Sequence, residues 1–167
     1  NRGMPHDTLT TLATLVGARL KARGVSLAAA ESCTGGWIAM AVTAIAGSSD
    51  WFERGFVTYS NEAKQEMLGV RLATLQAHGA VSESVAREMV EGAVTHSKAT
   101  VAVAVTGIAG PGGGTPQKPV GTVCLAWHGP TGSIRCETRQ FDGDREQVRR
   151  QTVITALQGI IAILEEA

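Results

Sequence analysis

The chain has 167 residues, enough for one domain that buries most of the apolar surface its unfolded form exposes. Fifteen Lys and Arg balance fifteen Asp and Glu, and the pI is near 7.1, which excludes a global positive field of the kind that draws nucleic acid or an anionic membrane surface. Cys33, Cys124 and Cys136 lack C-x-x-C spacing, which argues against a disulfide framework and a structural zinc site and points to a reducing, cytoplasmic setting.

No apolar stretch reaches the ~20 residues of a membrane span, and no basic-then-apolar signal pattern opens the chain, so a soluble, unexported protein is expected. Asn1 to Gly3, ahead of Met4, are given no role. Leu9, Leu12, Leu15, Val16 and Leu20 then recur at helical spacing after Asp7, a suitable N-cap, and stop at Gly24, predicting a first helix. Val25 to Ala30 is β-capable, and Glu31-Ser32-Cys33-Thr34-Gly35-Gly36 breaks it before the apolar run Trp37 to Ala46, closed by Gly47. Phe56 to Tyr59 has β composition, Ser60-Asn61 offers a cap, with Asn61 as the N-cap, and Glu62 to Leu68 forms a short helix ended by Gly69. The strand-turn-helix unit therefore occurs twice.

Residues 72 to 78 form another short helix, and Ser82 caps a longer one with Val85, Met89, Ala93 and His96 on one side. Val101 to Val105 is apolar on both alternating faces, as a central strand covered by helices requires. It runs into the glycine-rich loop Thr106 to Gly114. Gly121 to Trp127 and Ser133 to Phe141 read as two strands joined around Gly129 to Gly132, an antiparallel extension of the sheet. Asp144 with Gln147 makes a capping-box start for a last helix carried by Val148, Ile154, Leu157, Ile161 and Leu164.

This alternation predicts one α/β domain over residues 1–167, a three-layer α/β/α sandwich with a mixed, mainly parallel sheet. Ligands in such folds sit beyond the carboxyl ends of the strands, where Ser32 to Gly36, Tyr59 to Lys64 and Thr106 to Gly114 all fall. Ser32 either exposes its hydroxyl beside unpaired N–H groups of a helix start, suited to the oxyanion of acyl transfer, or only caps that helix together with Thr34. Lys64 lies in a first helical turn, where the dipole disfavours a cation. Either partial burial there lowers its pKa so that a neutral amine can take a serine proton, or it is an ordinary solvated lysine. Cys33 is a rival nucleophile, and Glu31 either pairs with Lys64 or is satisfied by the turn.

The glycine loop has neither P-loop nor dinucleotide-fingerprint spacing, which weakens ATP and NAD chemistry. Arg145 and Arg149, four apart on one helix face, could clamp a phosphate or pair with Asp144 or Glu146, and Arg150 adjoins them. His6, His78, His96 and His128 are scattered, so no metal is expected.

The segments AESCTGG (30–36), GSSDWFERGFVTYSNEAKQEMLGV (47–70), HGAVSE (78–83), VTGIAGPGGG (105–114), KPVGTV (118–123) and FDGDREQVRRQT (141–152) together resemble the C-terminal domain of competence/damage-inducible protein A, over about Leu9 to Leu164. The resemblance implies a deamidase of pyridine-nucleotide salvage, free of metal and cofactor, that takes nicotinamide mononucleotide to nicotinate mononucleotide and ammonia. It implies a serine-lysine pair at Ser32 and Lys64, with Cys33, Thr34, Gly35 and Gly36 around the oxyanion. Tyr59 would position the ring or relay a proton. Thr106, Gly107, Ile108, Ala109, Gly110 and Pro111 would bind substrate with Arg149 or Arg145. A homo-oligomer with neither nucleic-acid nor membrane partner completes the expectation, against the rivals of a non-catalytic phosphate-binding module and a cysteine amidase using Cys33.

Overall fold

The computed structural model of the chain describes residues 5–166, so Asn1 to Gly3 lie outside the described residues. The elements in order are α1 (Pro5–Arg23), β1 (Leu27–Glu31), α2 (Trp37–Thr43), β2 (Phe52–Val57), α3 (Asn61–Leu68), α4 (Leu72–His78), α5 (Glu83–Thr95), β3 (Val101–Gly107), β4 (Thr122–His128), β5 (Ile134–Gln140) and α6 (Arg145–Glu166), with a 3-10 turn at Ser48–Asp50. Several boundaries differ from the sequence expectation. Asp7 sits inside α1 rather than ahead of it, α2 ends at Thr43 rather than Ala46, and His96 lies just past α5, exposed. β2 starts at Phe52 and ends at Val57, because the Thr58 and Tyr59 carbonyls turn away from the sheet to Lys64. Ser60, not Asn61, caps α3, accepting from the Ala63 N–H at 3.0 Å.

The sheet order is β2-β1-β3-β4-β5, with helices on both faces. β1 pairs in parallel with β2 and β3, whereas β4 is antiparallel to both β3 and β5. The sheet is therefore mixed, with no parallel majority among its pairings. The reason lies in the connections: loops rather than crossover helices link β3 to β4 and β4 to β5, and only a crossover can return a strand in parallel.

The alternation V-A-V-A-V in β3 sorts side chains by size. Val101, Val103, Val105, Val123, Leu125 and Trp127 pack with α1, α2 and α6 on one face. Ala28, Ala30, Ala102, Ala104 and Ala126 lie on the other, against Val85, Met89 and Val90 of α5. Small strand residues let α5 settle close to the sheet. On α5, Gly92 meets the backbone of Leu68 so closely that a Cβ would overlap the Leu68 carbonyl oxygen, which fixes the distance of α3 from α5.

Parallel register brings three strand ends to one place. Glu31 is opposite both Val57 and Val105, the Ser32 N–H donates to Val105 O at 3.1 Å, and the Thr58 N–H donates to Glu31 O at 2.8 Å. The segments after β1, β2 and β3 thus leave the sheet side by side.

Candidate active site

Glu31 ends β1 fully buried, and its carboxylate turns onto the start of α2. Oε1 accepts from Thr34 Oγ1 at 2.6 Å, from the Gly36 N–H at 3.2 Å and from the Ile38 N–H at 2.9 Å, while Oε2 accepts from the Ala39 N–H at 3.0 Å. Four donors offset the desolvation of the charge and satisfy helix N–H groups that the N-cap, Gly36, has no side chain to reach. Of the two roles the sequence left open for Glu31, it takes the second, satisfaction by the turn. Gly35 (φ 58°) and Gly36 (φ 108°) occupy the left-handed region, where an L side chain is strained, so the pair lets the chain reverse from strand to helix directly after Ser32.

Lys64, 1% exposed, projects from α3 into this corner. Its Nζ lies 2.9 Å from Ser32 Oγ, 3.0 Å from Thr58 O and 3.1 Å from Tyr59 O. Burial pushes its pKa below the ordinary lysine value, and no carboxylate among the described residues forms an ion pair with it. A neutral amine fits the three neighbours well: its two N–H bonds donate to the two carbonyls, and its lone pair is left to accept the Ser32 hydroxyl proton.

Beside this pair lies a cavity of about 250 Å³, walled by Tyr59, Asn61, Ala80, Val81, Thr106, Gly107, Ala109 and Arg145 as well as by Ser32, Cys33 and Lys64. Thr106 donates its hydroxyl to Ala80 O at 2.9 Å, tying the segment before α5 to the end of β3. Arg145 spans the rim, donating to Gly110 O at 2.7 Å and to Tyr59 Oη at 3.2 Å. It also borders an adjoining groove of about 610 Å³ that includes Thr34, Gly35, Gly36, Trp37 and Arg149. Arg149 donates through Nε to Cys33 O and through Nη2 to Thr34 O, both at 3.0 Å, with its guanidinium 5.6 Å from the centre of the Trp37 ring. Arg150 faces a third groove, with Leu9 and Ala44, away from Ser32 and Lys64.

Cys33 is 5% exposed, and its side chain belongs to the core between the sheet and α6. Desolvation pushes its thiol up to about 12. Forming the thiolate at pH 7 would cost roughly 7 kcal/mol, at about 1.36 kcal/mol for each pKa unit.

The model of the CinA C-terminal domain family matches residues 9–164. The chain belongs to that family. The CinA C-terminal domain here is 55% identical over 155 residues to the nicotinamide-nucleotide amidohydrolase PncC of Escherichia coli K12, covering 93% of this chain and 94% of that one. It is likewise 55% identical over 157 residues to PncC of Pseudomonas putida, covering 94% and 98%. The crystal structure of the competence/damage inducible protein CihA from Agrobacterium tumefaciens superposes with a TM-score of 0.91 at 48% identity, covering 93% of this chain and 95% of that one.

In this CinA C-terminal domain the fold brings Ser32, Lys64, Tyr59, Thr106, Gly107, Ala109 and Arg145 to one cavity. Thr34, Gly35, Gly36 and Arg149 stand in the neighbouring groove. Ile108 bonds through both backbone groups to residues 121 and 122, Gly110 reaches the site through its carbonyl, and Pro111 is absent from the cavity wall. Asn61, Ala80 and Val81 are wall residues to which the sequence reading gave no role in the site. A signal for Asn61 existed: Ser60 and Asn61 could each cap α3, and whichever did not was free to face the loop cluster. Among the described residues no group of three or more His, Cys, Asp or Glu is placed to hold a metal, and no helix is long and apolar enough to cross a membrane.

Proposed function

We propose that the chain is a nicotinamide-nucleotide amidohydrolase, hydrolysing nicotinamide mononucleotide to nicotinate mononucleotide and ammonia. The observation that carries the reading is the buried 2.9 Å contact between Lys64 Nζ and Ser32 Oγ at a cavity wall, in a chain 55% identical to PncC enzymes across almost its whole length.

In the proposed mechanism neutral Lys64 takes the Ser32 proton as Oγ bonds to the carboxamide carbon, and the resulting oxyanion is held by backbone N–H groups. Two of the four N–H groups in the 33–36 turn are engaged, Gly35 with Ser32 O at 3.1 Å and Gly36 with Glu31, so the donors are those of Cys33 and Thr34. The C–N bond breaks, the Lys64 ammonium gives its proton to the departing nitrogen, and ammonia leaves. Water then adds to the acyl carbon, one of its protons passing to Lys64; on collapse Lys64 returns that proton to Ser32 Oγ as the acyl–oxygen bond breaks, and the acid released ionises to the nicotinate carboxylate.

Tyr59 and Asn61 flank the ring, and Arg145 at the rim meets the phosphate, exchanging its contacts to Gly110 O and Tyr59 Oη. The chain acts as one catalytic unit over its length. We read it as a cytoplasmic homo-oligomer, the resemblance carrying the assembly and three free thiols suiting a reducing compartment.

The test is ammonia release from nicotinamide mononucleotide, free nicotinamide and NAD by the unaltered protein and by Ser32→Ala. Turnover confined to the mononucleotide and lost in the variant is expected. Absence of release from all three by folded protein would favour a phosphate-binding module instead.

A further inference from the structure

We infer that Arg149 is a positioning residue for the acyl-transfer step: by gripping the carbonyls of the nucleophile turn, it aims and polarises the Thr34 N–H toward the oxyanion. The inference rests on the reading of Ser32 as nucleophile, and it gives Arg149 a task other than phosphate binding.

A trans peptide carries its C=O and N–H on opposite edges of one plane. Cys33 C=O and Thr34 N–H belong to the same peptide, so the Arg149 Nε bond to Cys33 O at 3.0 Å fixes where the Thr34 N–H points. The Thr34 N–H has no hydrogen-bond partner among the described residues, although Thr34 is fully buried. The preceding peptide is fixed in the same manner from within the turn, since Ser32 O accepts the Gly35 N–H at 3.1 Å, and this leaves the Cys33 N–H as second donor. Glu31 and Arg149 therefore hold opposite sides of one turn: the carboxylate takes its surplus N–H group at Gly36, and the guanidinium takes its surplus carbonyls at Cys33 and Thr34.

A charged donor on a carbonyl also makes the N–H of the same peptide a stronger donor, an effect that grows where water is scarce. Arg149 is itself held, by the Trp37 ring at 5.6 Å and by its two carbonyls. A Cβ on Gly35 would lie 3.7 Å from its Nη2, so the guanidinium sits directly against the turn. Two of its nitrogens are spent on these carbonyls, whereas Arg145, which borders both the cavity and the groove, hydrogen-bonds among the described residues to a loop carbonyl and a phenol.

The experiment measures kcat and KM for nicotinamide mononucleotide and for its thioamide analogue, by ammonia release, in the unaltered protein, Arg149→Gln and Arg149→Lys. Sulfur accepts hydrogen bonds poorly, so an enzyme with a well-aimed oxyanion site discriminates strongly against the thioamide. Removing an oxyanion donor outright costs about 10² to 10³ in kcat, and for a residue acting through a donor we expect a loss of about 10 to 100-fold in Arg149→Gln. KM for the mononucleotide should stay within about threefold, and the preference for amide over thioamide should shrink; Arg149→Lys, which keeps the charge but not the fork, should fall between. Should Arg149→Gln fail to fold, as judged by circular dichroism, Arg149→Lys is decided by the same comparison. An undiminished kcat in a folded variant, a rise confined to KM, or an unchanged thioamide preference overturns the positioning role and leaves the amidohydrolase reading intact. Inactivity of the unaltered protein sinks both.

Discussion

Lys64 Nζ lies 2.9 Å from Ser32 Oγ, with both side chains buried and two backbone carbonyls completing the amine's surroundings. Under the proposed mechanism the two residues act as a unit, so their removal should be non-additive. We expect Ser32→Ala and Lys64→Met each to lower kcat by about 10⁴-fold or more and the double variant to be scarcely worse than either. Single-turnover assays of the three variants check this; additive losses would mean that the residues work separately.

Lys64 also sets a pH dependence. As the base of the proposed mechanism it must be neutral, so kcat/KM should rise with pH through its depressed pKa and level off below the ordinary lysine value of about 10.4. Stability follows the same direction. Between the folded pKa and about 10.4 the unfolded chain holds one more proton at Lys64 than the folded chain, so unfolding free energy rises with pH, by at most about 1.4 kcal/mol per unit. Below the folded pKa the penalty for burying the ammonium is constant and fully present. Urea titrations of the unaltered protein and Lys64→Met over this range should differ in slope, the variant being flatter.

Burial makes Cys33 a poor nucleophile, with its thiol pushed up to about 12. Cys33→Ala should keep kcat within about threefold and lose about 1 kcal/mol of stability through the missing core atom. Iodoacetamide should alkylate the Cys33 thiol of the native protein slowly. Loss of turnover in a folded Cys33→Ala protein would revive the cysteine amidase.

Arg145 spans the rim of the cavity between Gly110 O and Tyr59 Oη. Arg145→Ala should raise KM for nicotinamide mononucleotide about 10 to 100-fold, in keeping with the loss of a charge-assisted contact of about 1.5 to 3 kcal/mol. It should leave KM for the phosphate-free nicotinamide riboside nearly unchanged. Equal effects on both substrates would place the phosphate elsewhere.

Gly92 allows α5 to meet the end of α3, the helix that carries Lys64. Gly92→Ala should destabilise the protein by about 1 to 3 kcal/mol through overpacking, and should lower kcat because α3 must withdraw from α5. Thermal unfolding and steady-state kinetics on one preparation test both parts. A drop in stability with kcat untouched would show that Lys64 does not depend on this contact.

Much of the architecture could be read locally. The alternating valines and alanines of 101–105, the glycine stops at Gly24 and Gly69, and the reciprocal Asp144–Gln147 capping box, formed at 2.8 and 2.9 Å, all express short-range rules of periodicity and backbone satisfaction. The same rules marked Ser32 to Gly36 as a strand-to-helix break and Lys64 as a cation in an awkward place. Matters of long-range pairing were beyond them. Whether the sheet kept a parallel majority depended on how β4 and β5 returned, and whether Glu31 met Lys64 or the turn depended on where α2 lay. Which arginine remained at the rim depended on the orientation of α6 against the turn after Ser32, since Arg145 and Arg149 share a helix face and differ only in what the fold sets opposite them. Sequence by itself determined the residue types and local turns from which a site could be made, because caps, turns and periodicity act over a few residues. Tertiary structure alone decided the contacts among them, because burial, and with it the lowered pKa of Lys64, exists only once distant segments have packed together.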